Sequence, residues 1–309
     1  MILVINLNPS LDKIYTIQSL KYGQVMRTEN VQNTAGGKGT HVANVINILQ
    51  ENCTITGFLG GHIGKFISDN LVEKGITNQS TNIQAETRAC INIATADGKQ
   101  TEILEPGPWI TSLEQTDFLT TYKKLLKSAD IITASGSLPK NIEPAFYNKL
   151  ITLAKAAGKK FLLDTSGKAL QEGIKAKPFF IKPNKDEVEA LTGNKINSIE
   201  DAVREIRTFV QKDIKLPVIS LGKQGSIAAF AGKIYHALPP PLEAVNAVGS
   251  GDAYVAGIAC GLHRQLDIQS ILRLASACGT ANILEKESGF VRQQQVQTLL
   301  PNIVIKELS

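Results

Sequence analysis

Ala247-Val248-Gly249-Ser250-Gly251-Asp252-Ala253-Tyr254 stands late in the chain, and its reading decides the fold. Two glycines one residue apart leave the backbone without Cβ atoms, so its N–H groups can turn inward around an anion. Ala253 to Leu262 is almost wholly apolar and contains no proline, which predicts a buried helix. The glycine turn then lies at a helix N-terminus, where free N–H groups and the macrodipole attract negative charge. Asp252 falls on the first turn, beside that anion site. A cradle for developing phosphate charge next to a fixed base suits phosphoryl transfer to an alcohol. Taken alone, Asp252 reads more simply as a helix cap. The run also brushes a dinucleotide fingerprint, but Tyr254 stands where the third glycine belongs, and no Gly-Lys-Ser/Thr follows for a Walker loop.

The 309 residues suit one large α/β domain with an insertion, or two domains. A net charge of +5 without a Lys/Arg block favours small anionic ligands over nucleic acid. Cys53, Cys90, Cys260 and Cys278 are scattered, with no C-x-x-C pair, which points to reduced thiols in the cytoplasm. The chain opens on a strand-like Ile2-Leu3-Val4-Ile5 without a basic leader, so no signal peptide is expected. No run approaches the ~20 apolar residues of a membrane helix.

Met1 to Leu7 reads as a buried strand broken by Asn8-Pro9-Ser10-Leu11-Asp12. An Asp just past the carboxyl end of a first strand lies where open α/β sheets bind ligands, although it also serves to cap a turn. Short β-prone pieces follow, Ile14 to Ile17 and Val25 to Val31, split by Tyr22-Gly23. Ala35-Gly36-Gly37-Lys38-Gly39-Thr40 then feeds a helix carrying Val42, Val45, Ile46 and Leu49. A Lys in a first turn opposes the helix dipole and sits better with an anion nearby; a solvated loop lysine is the plainer reading. Ile55 to Leu59 reads as a second strand and Ile63 to Glu73 as a helix. Alternation over Thr87 to Glu102, with a turn at Asp97-Gly98, predicts a hairpin carrying Arg88. Two hairpins thus interrupt a βα pattern, as an inserted lid would. Helices are expected at about 112–127 and 143–157, and again at 251–263, 268–285 and 292–300. Four strands run into Ser135-Gly136-Ser137-Leu138-Pro139, Asp164-Thr165-Ser166-Gly167, Lys182-Pro183-Asn184 and Ser220-Leu221-Gly222. Small, polar turns at that edge are where such sheets hold phosphates and sugars.

Together Asn8-Pro9-Ser10-Leu11-Asp12, Gly36-Gly37-Lys38-Gly39, Ser135-Gly136-Ser137-Leu138-Pro139, Lys182-Pro183-Asn184, Ser220-Leu221-Gly222 and Gly249-Ser250-Gly251-Asp252 resemble the ribokinase-like carbohydrate kinases of the phosphofructokinase B family, in family order and over essentially the whole chain. The resemblance implies an α/β three-layer sandwich with a mostly parallel central sheet and a small β-sheet lid, the lid strands inserted at about 13–33 and 87–105. Within the family the chain is similar to tagatose-6-phosphate kinases and 1-phosphofructokinases. Glu86-Thr87-Arg88, Thr101 to Pro108 and Glu287-Ser288-Gly289-Phe290-Val291 lean to the tagatose side. By the same resemblance Asp252 is the base, and Gly249, Ser250 and Gly251 form the anion hole. Asp12, Gly36, Gly37 and Ser137 hold the sugar, and Arg27, Lys38 and Arg88 its phosphate. Lys182, Asn184, Glu187, Ser220, Gly222, Gly225, Val248, Gly279 and Asn282 line the nucleotide. Asn184 and Glu187 organise Mg²⁺ through water, ATP is the donor, and a monovalent cation such as K⁺ belongs to the cofactor set. The lid also implies a homodimer.

Two departures stand out: His41 replaces the usual Asn, and Asn44 a frequent Arg. An imidazole can still donate to a sugar hydroxyl or phosphate, so His41 is read as substrate-facing, against the alternative of a packed helix histidine. Three other functions compete. A kinase of unphosphorylated sugars or nucleosides fits poorly with the trio Arg27, Lys38 and Arg88. A dinucleotide oxidoreductase needs a complete G-x-G-x-x-G after the first strand, which Asn8-Pro9-Ser10-Leu11 does not supply. A non-catalytic sugar-phosphate sensor would not need Asp252 and its glycines.

Overall fold

All five residues of the strand Ile2–Asn6 are buried, so it must run through a sheet covered on both faces. In the computed structural model, which describes residues 1–28 and 30–308, this strand pairs in parallel with Cys53–Gly60 on one side and Ile131–Ser135 on the other. Beyond Ile131–Ser135 follow Lys160–Asp164, Phe180–Ile181 and Leu216–Ser220, all parallel. Three antiparallel strands, Ser226–Phe230, Lys233–Leu238 and Val304–Leu308, close that edge. At the opposite edge Thr77–Asn78 and Thr81–Ile83 both pair with Cys53–Gly60.

The period-2 alternation of the central strand divides the interior. Ile2 and Val4 enter one core, with residues of the helices Lys38–Ile48, Gly61–Glu73, Ser250–His263, Ile268–Ile283 and Gln293–Leu299. Leu3 and Ile5 enter the other, with residues of Ser112–Leu125, Phe146–Ala156, Gly167–Lys175, Lys185–Thr192 and Ile199–Gln211. Helices therefore cover both faces of a mostly parallel sheet, as the sequence predicts.

Three of those helices and the antiparallel edge are absent from the sequence reading. Lys185–Thr192 buries only Val188, too little for a periodic signal. Ile199–Gln211 did carry a start signal, since Ser198 and Asp201 form a capping box.

A second sheet stands apart, in the order Asn30–Gly36, Ser10–Ile17, Arg88–Thr95, Gln100–Leu104. Its outer pairs are antiparallel and its central pair is parallel. Two expectations are corrected here. The first strand starts at Ser10, so Asp12 lies inside a strand rather than in a turn. The second runs over Asn30–Gly36, not Val25 to Val31: Ser10 and Leu11 pair with Gly36 and Ala35, while Val25 is exposed and residue 29 lies outside the described residues.

The parallel strands deliver their polar turns to one edge. Tyr147, fully buried, donates to the Gly136 carbonyl at 3.0 Å, and Thr165 donates to the same oxygen at 2.8 Å. Because Thr165 keeps that carbonyl paired, Tyr147→Phe is expected to lower the unfolding free energy by only about 0.5–1.5 kcal/mol. Urea denaturation checks this; a loss of several kcal/mol would mean the hydroxyl holds more than this turn.

Candidate active site

Gly249 adopts the left-handed conformation, φ 87°, immediately before the helix Ser250–His263. A Cβ there would lie 2.4 Å from the Gly289 amide nitrogen, so only glycine lets the turn pack against the loop 287–290. Asn246 ties the two together: its Oδ1 accepts from the Val248 amide at 3.0 Å, and its Nδ2 donates to the Lys286 carbonyl at 3.0 Å. Behind them Asn282, buried, donates to the Phe290 carbonyl at 3.0 Å. The first turn of the helix thus presents its free amides to a cleft of about 1230 Å³. That exceeds the usual volume for one small ligand, on the order of 300–1,000 Å³, and gives room for two ligands side by side.

Asp252 lines this cleft and is 5% exposed. Its Oδ2 meets His41 Nδ1 at 2.9 Å, while His41 Nε2 lies 3.7 Å from Asp12 Oδ2. Ser10 donates to the other Asp12 oxygen at 2.6 Å. Burial alone would push the His41 pKa down, but its hydrogen bonds to Asp12 and Asp252, with their charges, carry it up to about 9. The ring is an imidazolium at neutral pH.

A second charged group lies alongside. Asp164, at the end of its strand, is 3% exposed and sits 3.3 Å from Lys182 Nζ and 3.5 Å from Lys38 Nζ. Burial works to raise the Asp164 pKa, but the charges of Lys182 and Lys38 outweigh it and hold it below the ordinary carboxylate range. Asp164, with help from Asp252 and Glu187, holds Lys38 above the ordinary lysine range, although about half of the lysine side chain stays exposed. Lys182 reaches the glycine turn, its Nζ within contact distance of the space over Gly251. Asp164 was not singled out as a site residue from sequence, although an acid ending an apolar strand at the ligand edge was the available signal.

The small sheet walls the cleft with Asp12, Arg88, Cys90 and Asn92. The Arg88 guanidinium donates to the Asn8 carbonyl at 3.1 Å and to the Glu105 carbonyl at 2.7 Å, which fixes it at the mouth with donors to spare. Its neighbours serve the frame: Glu86 accepts from the Ile63 amide at 2.7 Å and Thr87 from the Gly60 amide at 2.9 Å. Gly37, Lys38 and Ser137 line the same end, and Asn8 donates to the Ser137 hydroxyl at 3.0 Å. At the other end lie Asn184, Glu187, Ser220, Gly222, Gly225, Val248 and Gly279, with Lys223 and Pro239 to Pro241 in addition to the residues read from sequence.

Three residues read from sequence as site residues stand outside the lining. Arg27 is exposed on the segment after Tyr22-Gly23, where the count of basic residues could not say which way it points. Gly36 lies behind the Asp12 carboxylate, and Asn282 props the loop behind the glycine turn. Asn184 and Glu187 close a capping box at the start of Lys185–Thr192: the Glu187 amide donates to Asn184 Oδ1 at 2.8 Å, and the Asn184 amide to Glu187 Oε2 at 2.9 Å. Glu187 Oε1 has no hydrogen-bond partner among the described residues, and Glu187 lines the cleft. Among the described residues no cluster of three or more His, Cys, Asp or Glu could enclose a metal by itself. The Glu187 carboxylate on the cleft nevertheless fits the needs of Mg²⁺, which keeps several waters and takes one or two protein carboxylates.

The pattern of the pfkB family carbohydrate kinases matches residues 5–294. The chain belongs to that family. It is similar over 100% of its length to 99% of a Staphylococcus aureus protein assigned as a phosphofructokinase, at 31% identity and a TM-score of 0.87. Phosphofructokinase-2 from Escherichia coli, in complex with potassium, shares the fold at 24% identity and a TM-score of 0.91, over 97% of this chain and 98% of that one. Ribokinase from Arabidopsis thaliana, complexed with ribose and ATP, shares it at 21% identity and a TM-score of 0.80, over 97% and 98% of the two chains. The chain is thus a carbohydrate kinase on a ribokinase-like fold. No described helix is long and apolar enough to cross a membrane.

Asp164→Asn is expected to destabilise the protein by about 3 kcal/mol, because it leaves Lys182 buried without its counter-charge. The native Asp164 pKa lies below the unfolded one, so its contribution is present above that unfolded value and is lost as pH falls through the native value. Urea denaturation at pH 7 and pH 3 reads both effects. Equal stability of the two proteins at pH 7 would remove the pairing from the account.

Proposed function

We propose that this carbohydrate kinase transfers the γ-phosphoryl group of ATP to a ketohexose phosphate, tagatose 6-phosphate to tagatose 1,6-bisphosphate in the first instance. The observation that carries the reading is the placement of Asp252 in one cleft, beside the Gly249-Ser250-Gly251 turn that opens its helix and the Lys182 side chain. With Oδ2 held by His41, Asp252 Oδ1 accepts no hydrogen bond among the described residues and is left to the acceptor hydroxyl. That hydroxyl gives its proton to Oδ1 as its oxygen bonds to the γ-phosphorus, and the bond to the β-phosphate oxygen breaks to release ADP. Charge spread over the transferred group meets the glycine-turn amides and Lys182. Alignment of oxygen, phosphorus and leaving group supplies most of the rate.

Asp12 and Ser137 would hold sugar hydroxyls, and Lys38 and Arg88 the phosphate the sugar already carries. The basic groups at that end support a phosphorylated acceptor over a free sugar, and the Staphylococcus aureus relative supports a hexose phosphate. Fructose 1-phosphate and fructose 6-phosphate are the alternative acceptors. Glu187, with Asn184, would hold Mg²⁺ through water beside the nucleotide phosphates, where the ion neutralises their charge when bound. Ser220, Gly222 and Gly225 would face those phosphates, with Gly279 near the base. The exposed apolar residues Tyr22, Val25, Ile103 and Leu104 of the small sheet and its connection support pairing of two copies through the lid.

Asp252→Asn tests the mechanism. The helix N-cap is Gly249 and Asp252 makes no capping bond, so Asn removes no cap; the fold and ATP binding should survive, at a stability cost from taking one carboxylate away from the buried His41. Loss of the base should lower kcat by ~10²–10⁴. Steady-state kinetics beside thermal denaturation decide it: a folded variant with near-normal turnover sinks the mechanism.

A further inference from the structure

His41 stands between two carboxylates lining the cleft, hydrogen-bonded to Asp252 and 3.7 Å from Asp12. Asp12 belongs to the strand Ser10–Ile17 of the small sheet, His41 to the helix Lys38–Ile48, and Asp252 to the helix Ser250–His263. One ring therefore joins the wall of the cleft to its floor. Its place is enforced from behind: Gly289, at φ 65°, packs so closely that a Cβ there would lie 2.3 Å from the His41 Cβ.

We propose that His41 is a positioning residue, an imidazolium clamp that fixes the Asp252 carboxylate by Oδ2 and couples the seating of the small sheet, through Asp12, to the readiness of the base. The contact to Asp252 is short at 2.9 Å and that to Asp12 loose at 3.7 Å. A sugar hydroxyl arriving at Asp12 can therefore take over that carboxylate while the ring keeps its hold on Asp252. An uncharged Asn at this position donates to one carboxylate at a time and cannot neutralise two. Asp12 from the small sheet and Asp252 from the site helix are the charged groups facing the ring. From the loop 287–290 the Gly289 backbone packs on the ring, with the Glu287 carboxylate of that loop lining the same cleft, and Lys38, one turn earlier on the ring's own helix, is directed to Asp164. The raised His41 pKa agrees with a charge held between two carboxylates. Its sign is definite: the charged clamp is complete at neutral pH and is lost as pH rises through about 9.

This deepens the kinase reading and rests on it for the catalytic part, so the test has two arms. In the first, ¹⁵N-labelled histidine in the whole protein is titrated by NMR; with four histidines in the chain, His41 is assigned by its absence in His41→Asn. The His41 ring should titrate well above pH 8 and drop in both Asp12→Asn and Asp252→Asn. Titration near the free value of about 6.5, or a value that Asp252→Asn leaves unmoved, overturns the clamp whatever the substrate. In the second arm, His41→Ala should lose about 10- to 100-fold in kcat through misplacement of the base, with the KM for ATP unchanged. His41→Asn, which keeps a donor to Asp252, should recover part of that loss. The wild type should show an alkaline fall in kcat near pH 9 that both variants lack. An alkaline limb that persists in His41→Asn, or a kcat for His41→Ala within twofold of wild type, overturns the positioning role. A wild type that phosphorylates no sugar phosphate overturns the substrate reading, and the NMR arm still decides the clamp.

Discussion

Charge removed from water must be paired, and in this protein that constraint draws the cleft together. Buried Asp164 and Asp252 meet buried Lys182 and His41, and the more exposed Lys38 and Asp12 complete a set of three carboxylates against three cations. An unpaired buried charge costs several kcal/mol, more than most single contacts contribute. The six residues come from the small sheet, from two strand ends and from two helices that start at the same sheet edge. Each pair crosses between segments far apart in sequence, so the charge pattern and the topology support one another. Parallel strands buried on both faces deliver the turns to one edge, and the ion pairs hold the side chains there.

That pairing also makes the cleft receptive. A bound phosphate would bring its own negative charge to Lys38, Lys182 and the glycine amides, and a sugar hydroxyl would replace the loose contact between Asp12 and His41. The groups that stabilise the free protein are those that ligands would engage, so little reorganisation is needed for the reaction. Gly249 contributes by conformation alone. Its left-handed turn aims the amides of the following helix at the cleft while its bare Cα accepts the 287–290 loop behind it.

The parallel strands were legible because double burial leaves continuous apolar runs, as in Ile2 to Ile5 and Phe161 to Leu163. The Asp97-Gly98 turn between alternating strands marked one half of the small sheet. Asp12 lies past the end of the first strand as expected, but within a second strand rather than in a turn, because Ser10 and Leu11 find partners in Gly36 and Ala35 that local pattern cannot reveal. The contact between His41 and Asp252 spans 211 positions, and Asp164 between its lysines depends equally on the completed sheet. Arg27, read as a phosphate ligand, is exposed on the irregular segment before Asn30–Gly36 and outside the cleft lining. The Asn184–Glu187 spacing, singled out through the family resemblance, is a capping box in the structure, a reading the spacing itself would have allowed.

The most direct test of the central claim is kcat/KM with MgATP for tagatose 6-phosphate, fructose 1-phosphate and fructose 6-phosphate, beside free tagatose and fructose. The account predicts that at least one ketohexose phosphate, tagatose 6-phosphate first among them, exceeds both free sugars by ~10²-fold or more, the worth of one or two charge-assisted phosphate contacts. A free sugar phosphorylated as well as any sugar phosphate would contradict it.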